Sequence, residues 1–450
     1  MGTHQQGQRY LGASTSRPAR RRTFAHVAVQ NADSCLRPAH DKNGDHTQLS
    51  SLTITSGRLV LSGSWISGTS SYNFGVSFTT PSQLLLLRGA LSNGQEAVAA
   101  AEEWLRLYGC GAGPAFRSLE AGSRRLLPLL YQNIKESVCK DYRAPLREVY
   151  LEYWAKNQKL LNGLEKLLGW FQANAIPTLV LKGIPLSILH YRNSATRPVS
   201  DFDILVPEEQ VSHVIGRLSA EGWKSDFIAG NVPEGSYFYQ HIHAIPFTHP
   251  DYGELDLHWH VLQVATFRGA DHLFWKDSVV LPVKTVETRA LNGTDQLLHA
   301  CVHGFAANIV APIRWVADAV TVIRTSSVDW KRLLYLAREL RVTIPLSLTL
   351  AFLKESFHVA IPGQTIEELR SFPVGSSDER YFGQLKKLER PWPEVFAYNW
   401  ERHRRARRDL HPIQRLACLP HDLGTFTFHR LRNWISKSDL TPGLRASDRT

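Results

Sequence analysis

Along this chain of 450 residues the hydrophobic pattern changes period twice, from helical to alternating near Ile176 and back to helical near Thr294. Before about residue 80 neither period persists. Ser, Thr, Gly, His and Gln are frequent there, which predicts a poorly ordered segment with strand character only in Ser67–Thr80. From Gln83 the pattern is helical. Ala97–Leu107 is rich in strong helix formers, and Ser123–Ile134 places Leu126, Leu127, Leu129 and Leu130 on one face, with Pro128 as a start or kink. The clearest helix is Leu146–Ala173, where Trp154, Leu161, Leu164, Leu168 and Phe171 form an apolar stripe.

The middle of the chain reads as strands joined by short helices. Thr178–Leu181 is a compact apolar run, Lys182-Gly183 marks a turn, and a short helix follows from Ile184 to about Tyr191. Arg197–Val206 begins polar and ends branched and apolar, predicting a buried second strand. A helix then runs from Pro207 to about Glu221, with proline in its first turn and Gly222 at its end. Tyr239–Thr248 and Glu254–Val261 alternate around the turn His249–Gly253, as a hairpin does. Asp277–Val286 supplies a linker and strand. Helical candidates follow at Asp295–Gly304, Ile313–Arg324, Trp330–Glu339 and Ile344–Phe357, and the signal fades beyond Pro362.

These elements predict an α+β fold in five parts. Residues 1–80 form a basic, poorly ordered segment, 81–150 a helical region and 151–290 an α/β core. A helical region at 291–430 and a tail at 431–450 complete the chain. No run of about 18 apolar residues occurs, so no transmembrane helix is expected. The five cysteines are scattered and odd in number, which argues against a disulfide framework or zinc knuckle and fits a reducing, cytoplasmic setting.

Net charge changes the picture only when it is located. Residues 1–50 hold seven Lys/Arg against three Asp/Glu, and residues 401–450 hold eleven against five, so the +11 excess lies almost wholly in the two ends. Nucleic acid would therefore be met only through these basic ends. Solvated tails or helix faces are the commoner meaning of such runs.

The candidate chemistry centres on Asp201 and Asp203. Side chains alternate along a strand, so both carboxylates project to one side, where like charges repel unless a cation lies between them. A hard oxygen-ligated cation such as Mg2+ answers that repulsion. Downstream, Glu254, Asp256, His258 and His260 face opposite to Leu255 and Leu257. A competing site is His299 with His303, spaced i, i+4 on a helix as two ligands of one transition metal can be. The sequence between them lacks the glutamate of a zinc protease, and helix packing accounts for them more simply.

The order strand, Lys-Gly turn, helix, Asp-x-Asp strand, helix and hairpin with a further Asp resembles the nucleotidyltransferase core of the DNA polymerase beta type. The residues Leu181-Lys182-Gly183, Arg197–Val206, Asp256-Leu257-His258-Trp259, His303-Gly304, Ile313–Asp318 and Val328-Asp329-Trp330 resemble an uncharacterised bacterial nucleotidyltransferase family, over roughly residues 83–355. The resemblance implies a mixed sheet flanked by helical regions and two Mg2+ ions held by Asp201, Asp203 and Asp256. It also implies a nucleoside triphosphate met by Lys182, Gly183, Arg197 and Ser200, with His258 as support behind the metal site. Asp256 would in addition help deprotonate an acceptor hydroxyl. Transfer of a nucleoside monophosphate to a small-molecule, peptide or protein acceptor, with pyrophosphate release, is the expected reaction. One departure stands out: Ile184-Pro185 follows the turn glycine where the superfamily usually has Gly or Ser, so a hydroxyl contact to phosphate is absent. The other expectations weighed are a metal-dependent glycosyltransferase using Asp-x-Asp and a catalytically weak partner protein that only binds a nucleotide.

Overall fold

The computed structural model describes residues 51–55, 58–67, 70–76, 78–108, 112–226, 242–306, 313–387 and 390–420. The basic segment 1–50 and the tail 431–450 lie outside the described residues, as does the start of the expected strand at Tyr239. Three strands, β1 (Ser51–Thr55), β2 (Arg58–Ser67) and β3 (Ser70–Val76), pair antiparallel in sequence order. Only the last of these had a visible strand signal in the sequence.

The central sheet has six strands: β4 (Leu179–Val180), β5 (Phe202–Leu205), β6 (Ala244–His249), β7 (Gly253–His258), β8 (Val279–Val283) and β9 (Val286–Ala290). Their spatial order is β6-β7-β5-β4-β9-β8. β5 runs parallel to β7 and antiparallel to β4, and β4 is parallel to β9, so the sheet is mixed. Together with the helices before and after it, this sheet makes the protein α+β.

Alternation along the strands divides the interior in two. Phe202, Ile204, Leu255 and Leu257 join a core with Leu164, Leu168 and Phe171 of the helix Lys140–Ala173 and with Val211, Val214 and Leu218 of the helix Val211–Ala220. The other set, including Leu179 and Leu205, joins a larger core built mostly from helices. The central strands β4 and β5 are thus buried on both faces, whereas β6, β8 and β9 alternate buried with exposed residues. Trp154 departs from the expected stripe: it is about half exposed, near the middle of the long helix.

Several boundaries moved for identifiable reasons. The long helix starts at Lys140 and carries Pro145 in its second turn. The expected strand Arg197–Val206 shrinks to β5, because side chains rather than a neighbouring strand satisfy the backbone before Phe202. Asn157 donates to the carbonyls of Ser194 and Arg197 (the latter at 2.9 Å) and accepts from the amide of Val199 at 3.0 Å. The segment read as one strand, Asp277–Val286, contains β8 and the start of a hairpin whose return strand is β9. Lys284 makes the turn with φ 54°. Beyond Pro362, where the pattern faded, the chain forms the helices Gly363–Ser371, Ser376–Leu385 and Trp392–Ala406.

The last of these helices changes the meaning of the basic run Arg402–Arg408. Arg405 is buried: it donates to the carbonyls of Val264, Leu340 and Arg341 and pairs with Asp378. Its guanidinium also lies over the rings of Tyr381 and Phe382. Arg408 covers Phe267 at 3.4 Å from the ring centre. Part of the C-terminal charge is therefore internal cement. Among the described residues no helix is long and apolar enough to cross a membrane.

Two further helices form one wall of the cleft described below, Gly293–Phe305 and Arg314–Thr325. They approach closely at Gly304, where an added Cβ would fall 2.1 Å from Cγ of Trp315. Gly304→Ala is expected to destabilise the protein by about 1–3 kcal/mol or more through overpacking. A urea denaturation series measures this, and an unchanged midpoint would show that the two helices do not hold this spacing.

Candidate active site

The register of β5 against β7 sets Asp203 directly opposite Asp256 and Leu205 opposite His258. All four point away from the core made by Phe202, Ile204, Leu255 and Leu257. The carboxylates of Asp203 and Asp256 and the imidazole of His258 each offer one atom within 4.8 Å of the others. Asp201 lies just before β5 in a bend, half-buried, and accepts a hydrogen bond from Ser200 Oγ at 3.1 Å. It borders the same cleft but stands outside that tightest group.

Asp203 is only 4% exposed, and two cationic or hydrogen-bonding partners hold it. Lys182 Nζ lies 2.5 Å from its Oδ1, and His258 Nε2 lies 3.1 Å from the same atom. Burial would raise the Asp203 pKa, yet Lys182 and His258 hold it far below the usual carboxylate range. Asp256 moves the other way. Burial and the neighbouring Asp203 charge raise it. Lys182 feels burial pulling its pKa down, but Asp203, Asp256 and Asp201 together raise it, so it stays charged. His258 is fully buried, and its Nδ1 lies 3.3 Å from the carbonyl of His260. Both ring nitrogens therefore face acceptors, and the ring orients Asp203 from beneath. This makes His258 a supporting residue for the acidic pair.

The backbone at Lys182 is strained. Its φ of 52° with ψ of −114° is a conformation that residues with a Cβ seldom adopt, at a penalty of about 1–3 kcal/mol. The strain turns the side chain from the end of β4 toward Asp203. Gly183 next to it answers a close approach: a Cβ there would sit 3.0 Å from Arg197 Nη1 and from Val199. Its missing side chain lets the turn pack on the Arg197–Asp201 loop. Ile184 and Pro185 are buried in the first turn of the helix that follows.

Arg197 has a different task from the free counter-charge its position suggested. Its Nε and Nη2 grip both oxygens of Asp318 at 3.0 and 2.8 Å, and its Nη1 donates to the carbonyl of Pro198. Tyr191 donates its hydroxyl to the same Asp318 at 2.9 Å, and Arg314 donates to the carbonyl of Pro198. The helix Arg314–Thr325 thus clamps the loop that leads into Asp201 and Asp203. Burial, with Arg197 and Arg125 nearby, pushes Arg314 down to about 9, which leaves it charged at neutral pH.

These parts enclose a cleft of about 280 Å³. The sheet side supplies Lys182, Gly183, Asp201, Asp203 and Asp256, and Arg197 lies at the base of the loop. Ser200 is exposed and touches the site only through Asp201. The opposite wall presents Gln296, His299, His303 and Arg314. Burial and Lys182 lower the pKa of both histidines, His303 to about 4. The i, i+4 histidine pair therefore lines the acidic cleft as neutral imidazoles. Among the described residues it belongs to no group of metal-ligand size.

Asn157, Gln296, Arg314 and Asp318 were not assigned to the site from sequence. Arg314 and Asp318 had a visible signal, i, i+4 spacing in a stretch that carries the family resemblance, but nothing local says which loop they grip. The donor set of Asp203, Asp256 and Asp201 fits a hard divalent cation, with carboxylate oxygens from two neighbouring strands converging on one cleft.

The model of a family described as uncharacterised nucleotidyltransferase matches residues 120–358, more than half of the chain. The protein belongs to that family. The match takes in the six-stranded sheet, the acidic pair and the clamping helix. The crystal structure of the lincosamide antibiotic adenylyltransferase LnuA, bound to lincomycin, is similar over 37% of this chain and 97% of its own, at 17% identity and a TM-score of 0.26. No curated protein matches the chain.

Two outcomes follow for this nucleotidyltransferase. Asp318→Ala leaves the buried Arg197 unpaired and is expected to lower stability by about 3–5 kcal/mol, read from denaturant unfolding. Acid should also destabilise the fold before its carboxylates titrate. His299 takes up a proton in the unfolded chain near pH 6.5 but resists it when buried in the fold, so stability present above that pH falls as pH drops below it. Replacing His299 by Gln should flatten this limb of a melting-temperature profile. An unchanged limb would assign it to other groups.

Proposed function

We propose that the protein transfers a nucleoside monophosphate from a nucleoside triphosphate to a hydroxyl-type acceptor, with Mg2+ and release of pyrophosphate. The observation that carries this reading is the Asp203–Asp256 pair, set side by side on β5 and β7 at the floor of a cleft that also holds Lys182 and Arg314. Asp201, Asp203 and Asp256 would hold the divalent ions. Bound there, such ions supply charge neutralisation for the attacking and leaving oxygens of an in-line displacement.

The chain's own groups do the rest. Lys182, poised at the mouth of the Asp203 carboxylate, and Arg314 on the opposite wall offer positive charge to the triphosphate. Arg197 acts through Asp318, holding the loop that aims Asp201. Ser200 braces Asp201 through its hydroxyl. His258 keeps the Asp203 carboxylate in one orientation. Asp256, whose proton affinity is raised by burial and by Asp203, is suited to take the proton from the acceptor hydroxyl. The acceptor oxygen then bonds to the α-phosphorus, and the bond from that phosphorus to its bridging oxygen breaks, so pyrophosphate leaves with the electron pair.

The histidine-lined wall, with Gln296, His299 and His303, is the side from which an acceptor would enter. A small molecule, a peptide or a protein side chain could present the hydroxyl. The setting assigned to this chemistry is the cytoplasm, where nucleoside triphosphates and Mg2+ are available.

Incubation with each α-labelled nucleoside triphosphate, Mg2+ and an acceptor library should give label transfer matched by pyrophosphate. Asp203→Asn should lower it on the order of 10³-fold, from the several kcal/mol that metal-assisted charge stabilisation supplies. Nucleotide binding without turnover across the library would sink the transferase reading in favour of a nucleotide-binding partner protein.

A further inference from the structure

Three observations about Lys182 combine into a role that goes beyond binding the triphosphate. Its ammonium already occupies Asp203, at 2.5 Å from the very oxygen that also accepts from His258. Its side chain is a quarter exposed and lies along the cleft, whereas His258 is sealed in the sheet with contacts at both ring nitrogens. Its backbone is bent into a rare conformation that aims it there. Of the two groups on Asp203, only the lysine has somewhere else to go.

We propose that Lys182 is a resident counter-ion, which holds the place of a divalent cation on Asp203 and moves to the phosphates when a triphosphate arrives. This rests on the nucleotidyltransferase reading of the cleft. Without a metal, two neighbouring carboxylates on β5 and β7 need positive charge nearby, and Lys182 supplies it. A divalent cation on the same carboxylate meets the ammonium as a like charge in a site of reduced dielectric, so the two compete. A triphosphate removes the competition, because its oxygens accept the ammonium as well as Asp203 does. Metal and nucleotide are then coupled through one side chain, and the coupling must be reciprocal. The lysine also protects the acidic pair from binding cations while no nucleotide is present.

The test reads binding rather than turnover, on the full chain, with Mn2+ as the probe followed by electron paramagnetic resonance. Lys182→Gln should bind Mn2+ about tenfold more tightly than the unmodified protein, within the usual range of such couplings. Lys182→Arg keeps the charge and adds a second donor for Asp203, so it should fold and bind Mn2+ severalfold more weakly. In chelator, without metal, inorganic tripolyphosphate should bind Lys182→Gln about tenfold more weakly than the unmodified protein. Mn2+ affinity that stays unchanged in Lys182→Arg, or that stays unchanged or falls in Lys182→Gln, overturns the competition. Unchanged tripolyphosphate affinity overturns the transfer to phosphate. Asp256→Asn separates this from the underlying reading: if Mn2+ binds that variant as before, the acidic site itself is wrong. Lost binding there with no effect of either lysine variant refutes only the lysine's role.

Discussion

A carboxylate buried on the inner face of a sheet is unstable unless something positive meets it, and Asp203 is such a group. Much of the surrounding structure follows from meeting that need. β4 ends in a strained residue so that Lys182 can reach it. β7 is placed in parallel register so that His258 lies against it one turn of the pleat beyond Asp256. The same register puts a second carboxylate beside the first, which worsens the repulsion it appears in. Such a pair is costly to keep, since neutral apolar residues would pack that face more stably.

A second constraint lies one layer out. The loop from Arg197 to Asp201 makes no ladder with a neighbouring strand, so its polar backbone must be satisfied by side chains. Asn157 from the long helix and Arg314 from a helix some 115 residues downstream do this, while Arg197 is locked to Asp318. The helical region after the sheet is therefore part of the site's skeleton as well as one wall of the cleft. Close contact between Gly304 and Trp315 sets the spacing of the two helices within that wall. The two helices that carry His299, His303, Arg314 and Asp318 are thereby held as one unit facing the acidic strands.

Positions governed by a local, repeated pattern are legible in the sequence. Asp203 and Asp256 could be placed on one face because strand alternation opposes them to Phe202, Ile204, Leu255 and Leu257, all of which are buried on the other side. Trp330–Glu339 emerges with both ends as expected, since Asp329 caps it and its apolar stripe is regular. The pattern was less informative where a segment's partners are distant. Arg197 looked like a free cation because nothing near it in the sequence announces Asp318. Arg405 looked like part of a solvated run because its acceptors come from Val264, Leu340 and Arg341. β9 was missed because the tight turn that pairs it with β8, at Lys284 and Thr285, carries neither glycine nor asparagine.

What the sequence alone determined is the ordered set of chemical groups and the face each one occupies, because alternation and helical spacing are properties of the local backbone. It was enough to recognise the nucleotidyltransferase family and to place Asp203 and Asp256 on one face of the sheet. The tertiary structure decided which charges are spent inside the protein and which face the cleft. Arg197 and Arg405 are consumed by buried partners, while Lys182 and Arg314 border the cleft. That division depends on distance through space, and a buried charge reveals its partner only when the chain has closed around both.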